Sequence, residues 1–166
     1  RLQKGDHDLS LVPFSEIKGK HLVIEEKVDG ANAGVSFDEN GSMLLQSRGH
    51  FLTGGPREKH WTLFKQWAAI HEDRFFDVLG NRYVMYGEWM FAKHTVFYDL
   101  LPHYFMEFDV YDKEQDVYLS TPARRDLLGS LPVESVLVLH EGPVDDLHDL
   151  LKFVRPSYFK SGLWTK

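Results

Sequence analysis

A chain of 166 residues that is 43% hydrophobic and 14% aromatic is about one domain long and apolar enough to bury a core, which excludes a disordered chain. With 25 acidic against 19 basic residues the formal charge is -6, so the chain does not coat nucleic acid through a broad basic field, and any basic contact must be local. There is no cysteine and no apolar run of membrane-spanning length, and the opening RLQKGDHDLS lacks the basic and then apolar regions of a secretory signal; these features read as a soluble, cytoplasmic protein with no membrane partner.

In chain order, HLVIEEKV (21–28), ANAGVSF (31–37) and SMLLQS (42–47) read as a strand meander, because Asp29-Gly30 and Asn40-Gly41 are hairpin-type turn pairs. After Gly54, Gly55 and Pro56, apolar and aromatic residues recur at three- and four-residue steps through Trp61, Phe64, Trp67, Ala68, His71, Phe75 and Val78. This predicts one amphipathic helix over 57–80, ended by Gly80. RYVMYGEW (82–89), YFMEFDVYD (104–112) and VYLS (117–120) read as strands, Thr121 and Pro122 open a short helix through Leu128, SVLVLH (135–140) is a further strand, and VDDLHDLLKFV (144–154) a further short helix. No repeat, low-complexity tract or linker interrupts the chain. The expectation is a single domain over 1–166 of the α+β class, mainly antiparallel sheet with inserted helices.

Lys27, Val28, Asp29 and Gly30 fall where the first predicted strand runs into a turn. A lysine there projects into whatever cleft the turn borders, and as a nucleophile it must be deprotonated, which burial, a neighbouring cation or a bound metal ion can achieve. Gly30, without a Cβ, lets a phosphate or a backbone approach closely. The plain alternative is a charged strand end and an Asp-Gly hairpin turn, with Lys27 in solvent.

Lys27 has company. EEKVDGAN (25–32), SRG (47–49), YGEW (86–89) and MEFDVYD (106–112) resemble nucleotidyltransferase motifs I, Ia, III and IIIa of covalent polynucleotide ligases, in the same order. The pattern is most similar to the RNA ligase 2-like group of ATP-dependent RNA ligases, whose motif I ends in Asn, as here at Asn32. The resemblance implies an ATP-grasp-like adenylation fold. It implies that Lys27 forms the phosphoramide bond to AMP, that Glu26 and Val28 meet the adenine largely through backbone groups, and that Asn32 lies near the phosphate. Arg48 then contacts the nucleotide or the RNA end, Glu88 accepts hydrogen bonds from the ribose hydroxyls, and Phe108 stacks on the adenine. A carboxylate and an aromatic ring suit those two tasks. Taken singly, Arg48 reads as a surface cation, Glu88 as a solvated strand residue and Phe108 as a core aromatic; their order after Lys27 reverses those readings.

The remaining polar residues read as background. Asp109 and Asp112 are expected to be a solvated strand-end pair, His94 a packed or hydrogen-bonded histidine, and Lys18, Lys20, Arg57, Lys59, Arg124 and Arg125 scattered solubilising cations; no metal ligand is assigned. Two family motifs have no counterpart: motif IV, an EG followed by aliphatics and a basic residue, and motif V, two lysines one apart. Glu141, Gly142, Pro143 and Val144 imitate motif IV, but Pro143 removes a strand donor, so this stretch reads as a loop. The adenylation domain is thus expected to be incomplete at its C-terminal end, the chain stopping just before those motifs.

The reaction implied by the resemblance uses ATP with Mg2+ or Mn2+. Lys27 takes AMP and releases pyrophosphate, AMP passes to an RNA 5′-phosphate, and a 3′-hydroxyl displaces AMP to seal the strand. Three alternatives stay open: a capping-type guanylyltransferase, a DNA ligase of the same superfamily, and a non-catalytic nucleotide- or RNA-binding module.

Overall fold

The computed structural model describes residues 12–91 and 95–162, apart from the side chain of Arg57; His94 and the opening RLQKGDHDLS lie outside them. In chain order the elements are α1 (Phe14–Ile17), β1 (His21–Glu25), β2 (Ala31–Phe37), β3 (Met43–Ser47), β4 (His50–Phe51), a 3-10 segment (Pro56–Trp61), α2 (Thr62–Ile70), α3 (Glu72–Leu79), β5 (Tyr83–Trp89), β6 (Phe105–Asp112), β7 (Val117–Tyr118), α4 (Thr121–Leu128), β8 (Glu134–Ser135), β9 (Val138–Pro143) and α5 (Leu147–Leu151). They fall into two compact units: residues 12–26 with Leu137–Pro156, and Lys27–Val136 with 157–162. None of the described helices is long and apolar enough to cross a membrane.

The larger unit is built on a seven-stranded sheet ordered β4-β3-β2-β5-β6-β7, with β8 parallel to β6 and every other pair antiparallel. The α+β class with mainly antiparallel pairing is therefore as the sequence predicts. The β2–β3 hairpin also forms as expected: the Asp38 carboxylate accepts from the N–H groups of Asn40 (2.9 Å) and Ser42 (2.8 Å), and Gly41 takes the left-handed φ of 78°.

Strand alternation turns Ala33, Val35 and Phe37 of β2, Met85 and Trp89 of β5, and Phe105 and Val110 of β6 to one face, where Phe64 and Ala68 of α2 and Phe75 and Leu79 of α3 share their core. Aromatic packing is dense there: Trp67 stacks on Phe105 with ring centroids 4.9 Å apart, and Phe64 meets Trp89 at 5.2 Å. The single helix expected over 57–80 is in fact three pieces, a 3-10 segment and two helices that break at His71 (φ -109°, ψ 9°). Phe64, Ala68, Phe75 and Leu79 face the core on both sides of the break, so hydrophobic spacing does not register it.

Met106, next to Phe105 on β6, points the other way and belongs to a second, smaller cluster with Val28, Met90 and Val136, against which Tyr98, Leu101, Phe108 and Phe159 pack. At the far end of β6, Asp112 is buried rather than solvated. Arg82 grips both its oxygens at 2.6–3.1 Å, and the Arg82 hydrogen bonds hold its carboxyl below the usual carboxylate range.

The smaller unit pairs β1 with β9, with His21 opposite Pro143 and Val23 opposite Glu141. Three expectations are overturned by these pairings. Asp29-Gly30 does not close a hairpin, since β1 pairs with β9 and not with β2. Glu141, Gly142 and Pro143 are strand residues rather than a loop, because Pro143 takes the last position of a two-stranded ribbon, where a missing donor is tolerated. SVLVLH is likewise not one strand: Ser135 ends β8 in the larger unit and Val138 starts β9 in the smaller one.

Candidate functional site

Lys27 is exposed and lies beyond β1, which ends at Glu25 instead of running through Val28 as expected. Its position is set by the residues that follow it. Val28 is 1% exposed in the smaller cluster. The N–H of Asp29 donates to the Tyr98 hydroxyl at 2.8 Å, and the Asp29 carboxylate accepts from the Thr95 N–H at 2.9 Å. Gly30 serves close approach, and what approaches is the Met90 side chain and the Trp89 backbone: a Cβ there would stand 2.6 Å from Met90 Sδ and 2.9 Å from the Trp89 carbonyl oxygen. Gly30→Ala is expected to cost about 1–3 kcal/mol, the scale of overpacking a filled site, read as a lower midpoint in thermal or urea unfolding. An unchanged midpoint would show that the Lys27 turn is not wedged against β5.

Asn32 stands directly opposite Glu88 in the β2–β5 register, and Glu88 stands opposite Met106 on β6; Asn32 and Glu88 are both half-buried. Phe108 sits at an irregularity in the sheet. Tyr86 pairs with Asp109 and Gly87 with Glu107, so Phe108 is the extra residue of a β-bulge, a device that re-aims a side chain. Half-buried, it packs in the cluster that holds Val28. Gly87 permits the bulge to lie close, since a Cβ there would meet Phe105 Cζ at 2.6 Å and the Met106 carbonyl oxygen at 2.8 Å. The short run from Lys27 to Asn32 therefore joins one end of the site, where Val28 and Phe108 share a cluster, to the other, where Asn32 and Glu88 face each other.

Arg48 is exposed just after β3 and lines a cavity of about 780 Å³ that Asn32 also lines. Glu26 belongs to the smaller unit, where its N–H donates to the Leu137 carbonyl at 2.8 Å, so any contact with a base must use its other groups. Among the described residues no group of three or more His, Asp or Glu is placed to hold a metal ion. These side chains do not make a resident metal site by themselves; a magnesium-type ion is commonly held by one or two carboxylates together with substrate phosphates.

One structural residue escaped the sequence reading. Arg124, expected among the solubilising cations, is 2% exposed, with its Nε 3.2 Å from Oε1 of the fully buried Glu107; Ser135 donates to the other Glu107 oxygen at 2.6 Å. Asp109, expected in solvent, is half-buried with Oδ1 3.8 Å from Arg124. A signal was present: Arg124 lies one helical turn before Leu128, on the apolar stripe of α4.

This fold, with a lysine turn, a facing carboxylate and a bulged aromatic, is that of the nucleotidyltransferase part of RNA ligases. The chain belongs to the RNA ligase family, whose model matches residues 20–163. Among solved structures it is similar to Naegleria gruberi RNA ligase with PPi (TM-score 0.65, 20% identity, 82% of this chain and 41% of that one) and to a lysine mutant of that ligase with ATP and Mn (0.64, 19%, 82% and 42%). It is similar also to an archaeal ATP-dependent RNA ligase (0.61, 19%, 82% and 36%). The chain thus spans about two fifths of the length of these structures. No curated protein sequence matches it significantly.

Proposed function

We propose that this chain supplies the nucleophile and nucleoside pocket of an ATP-dependent RNA ligase and belongs to a single adenylation domain, a reading supported by the family match over residues 20–163. Lys27 Nζ, having shed its proton, attacks the α-phosphorus of ATP; the N–P bond forms and the bond to pyrophosphate breaks. An oxygen of an RNA 5′-phosphate then takes the AMP from Lys27, and a 3′-hydroxyl displaces AMP to join the ends. Glu88 accepts from the ribose hydroxyls, Phe108 stacks on the adenine beside Val28, and Asn32 and Arg48 flank the phosphates. Mg2+ or Mn2+ would arrive with the phosphates and offset their charge; the similar Naegleria gruberi structure with ATP and Mn supports that pairing.

The observation that carries this reading is that the end of motif I, the start of motif Ia, and motifs III and IIIa fall on the adjoining strands β2, β3, β5 and β6, with Val28 and Phe108 in one cluster, Asn32 opposite Glu88, and Asn32 sharing a cavity with Arg48. Its test is incubation with α-labelled ATP or GTP and Mn2+, followed by a search for label on the protein. Label from ATP alone is the expected result; label from GTP alone makes it a guanylyltransferase, and no label from either removes the reading. Within the pocket, Phe108→Ala should weaken ATP binding by about 1 kcal/mol or more, the scale of a lost stack and its burial. Glu88→Ala should weaken it through loss of the ribose contacts. Calorimetric affinities unchanged in both variants would remove the adenosine assignment.

A further inference from the structure

We propose that Tyr98 is a positioning residue for Lys27: its hydroxyl, at the end of a brace that runs from residues 159–161 through 98–101, holds the chain just after Lys27 and so aims the lysine amine. This rests on the reading of Lys27 as the nucleophile and adds to it what keeps that lysine in attacking position.

Lys27 needs such a hold because no sheet ladder reaches it. β1 ends at Glu25 and β2 starts at Ala31, so residues 26–30 lie outside regular structure. Lys27 is exposed, and Val28 beside it is anchored by burial. Apolar burial has no direction: it keeps Val28 in place without fixing how the chain turns about it. A hydrogen bond does have direction, and the Asp29 N–H gives one to the Tyr98 hydroxyl at 2.8 Å. The Asp29 carboxylate accepts from the Thr95 N–H at 2.9 Å, so the backbone and the side chain of one residue are both tied to one short segment. Together these bonds oppose rotation of Asp29 and, through Val28, limit the direction in which Lys27 leaves the chain.

A tether aims only if its far end is fixed. Residues 95–104, between β5 and β6, are neither helix nor strand, yet the stretch around Tyr98 is held from behind. Tyr98, Leu101 and Phe159 pack against the cluster of Val28, Met90, Met106 and Val136. The Leu100 N–H donates to the Phe159 carbonyl at 3.1 Å. The Ser161 N–H donates to one Asp99 oxygen at 2.9 Å and the Ser161 hydroxyl to the other, so Asp99, next to Tyr98, is clasped by a residue 62 positions further along. Those bonds hold the Asp99 carboxyl below its ordinary range, which keeps it an acceptor. All of these residues belong to the larger unit, as does Lys27.

Tyrosine suits this place because its two parts do different work. The ring fills the cluster, and the hydroxyl supplies the directional contact. Phenylalanine would pack as well and hold nothing, so Tyr98→Phe deletes only the oxygen that accepts from Asp29.

The experiment compares Tyr98→Phe, Asp99→Ala and the double variant with the parent protein and with Lys27→Ala. Three quantities are read: single-turnover uptake of label from saturating α-labelled ATP with Mn2+, calorimetric ATP affinity, and melting temperature. Tyr98→Phe should slow labelling about tenfold to a hundredfold, the cost of misdirecting a reacting group by about an ångström. ATP affinity should stay within about twofold of the parent, because the lost contact is made to the lysine turn and not to the nucleotide. The melting temperature should fall by no more than about 4 °C, the scale of one hydrogen bond. Asp99→Ala should slow labelling about threefold or more in the parent and less than about twofold in the Tyr98→Phe background, since both changes loosen the same brace. Labelling at the parent rate in Tyr98→Phe overturns the inference, and so does an ATP affinity that falls in step with the rate, since Tyr98 then serves the nucleotide pocket. Independent, multiplying losses in the double variant overturn the brace behind Tyr98. If the parent takes no label, the Lys27 reading fails and this inference with it; if the parent labels, Lys27→Ala does not and Tyr98→Phe matches the parent, the positioning role alone fails.

Discussion

Lys27→Ala will take up no AMP: label from α-labelled ATP should fall to background, a loss on the order of a thousandfold or more, because no other group replaces an absent covalent nucleophile. Lys27→Arg should be equally dead, since a guanidinium keeps its proton and offers no lone pair. Lys152→Ala is the control; that lysine is exposed on the surface of the smaller unit and pairs with Asp149, so labelling should persist. ATP affinity should change much less than labelling in Lys27→Ala, because Val28, Asp29 and Gly30 hold the turn whatever side chain stands at 27. Undiminished label in Lys27→Ala would move the nucleophile elsewhere.

The largest effect on stability is expected at Arg124. Arg124→Leu strips the counter-charge from Glu107, a fully buried carboxylate in the middle of β6. Breaking one side of a buried ion pair costs about 3–5 kcal/mol, because the charge left behind stays buried without its counter-charge. For a chain of this size that lowers the melting temperature by on the order of 10 °C. Replacing both residues, Arg124→Leu with Glu107→Leu, should recover more than half of the loss, since an apolar pair has no charge to desolvate. ATP affinity should fall with Arg124→Leu as well, because Glu107 immediately precedes the bulged Phe108. A single variant that melts within roughly two degrees of the parent would show that the pair is not carrying α4 against the sheet.

Side-chain alternation was legible without coordinates wherever one strand face is buried, which is why β2, β3, β5 and β6 lie where ANAGVSF, SMLLQS, RYVMYGEW and YFMEFDVYD predict them. The hairpin at Asn40-Gly41 was legible because Asp38 and Gly41 build it from local contacts. The same turn signal at Asp29-Gly30 misled. Its residues are used in contacts with Thr95, Tyr98, Trp89 and Met90, about 60 or more positions away, and no short window of sequence contains those partners.

What the sequence determined by itself was the family: a lysine two residues before Asp-Gly, then an arginine, a carboxylate and an aromatic in the order of that family, and an alternation that demands antiparallel sheet. Only the tertiary structure decided how those residues meet. The β1 strand chose β9 as partner, SVLVLH divided between two sheets, and β6 spent one residue on a bulge at Phe108, which packs against the cluster that holds Val28. Arg124 went inside because Glu107 was there to receive it. Periodicity along a chain records which face of an element is buried, since that is a local property; which strands pair, where register slips and which charges find one another depend on long-range contacts, whose free energies exist only once the chain has closed on itself.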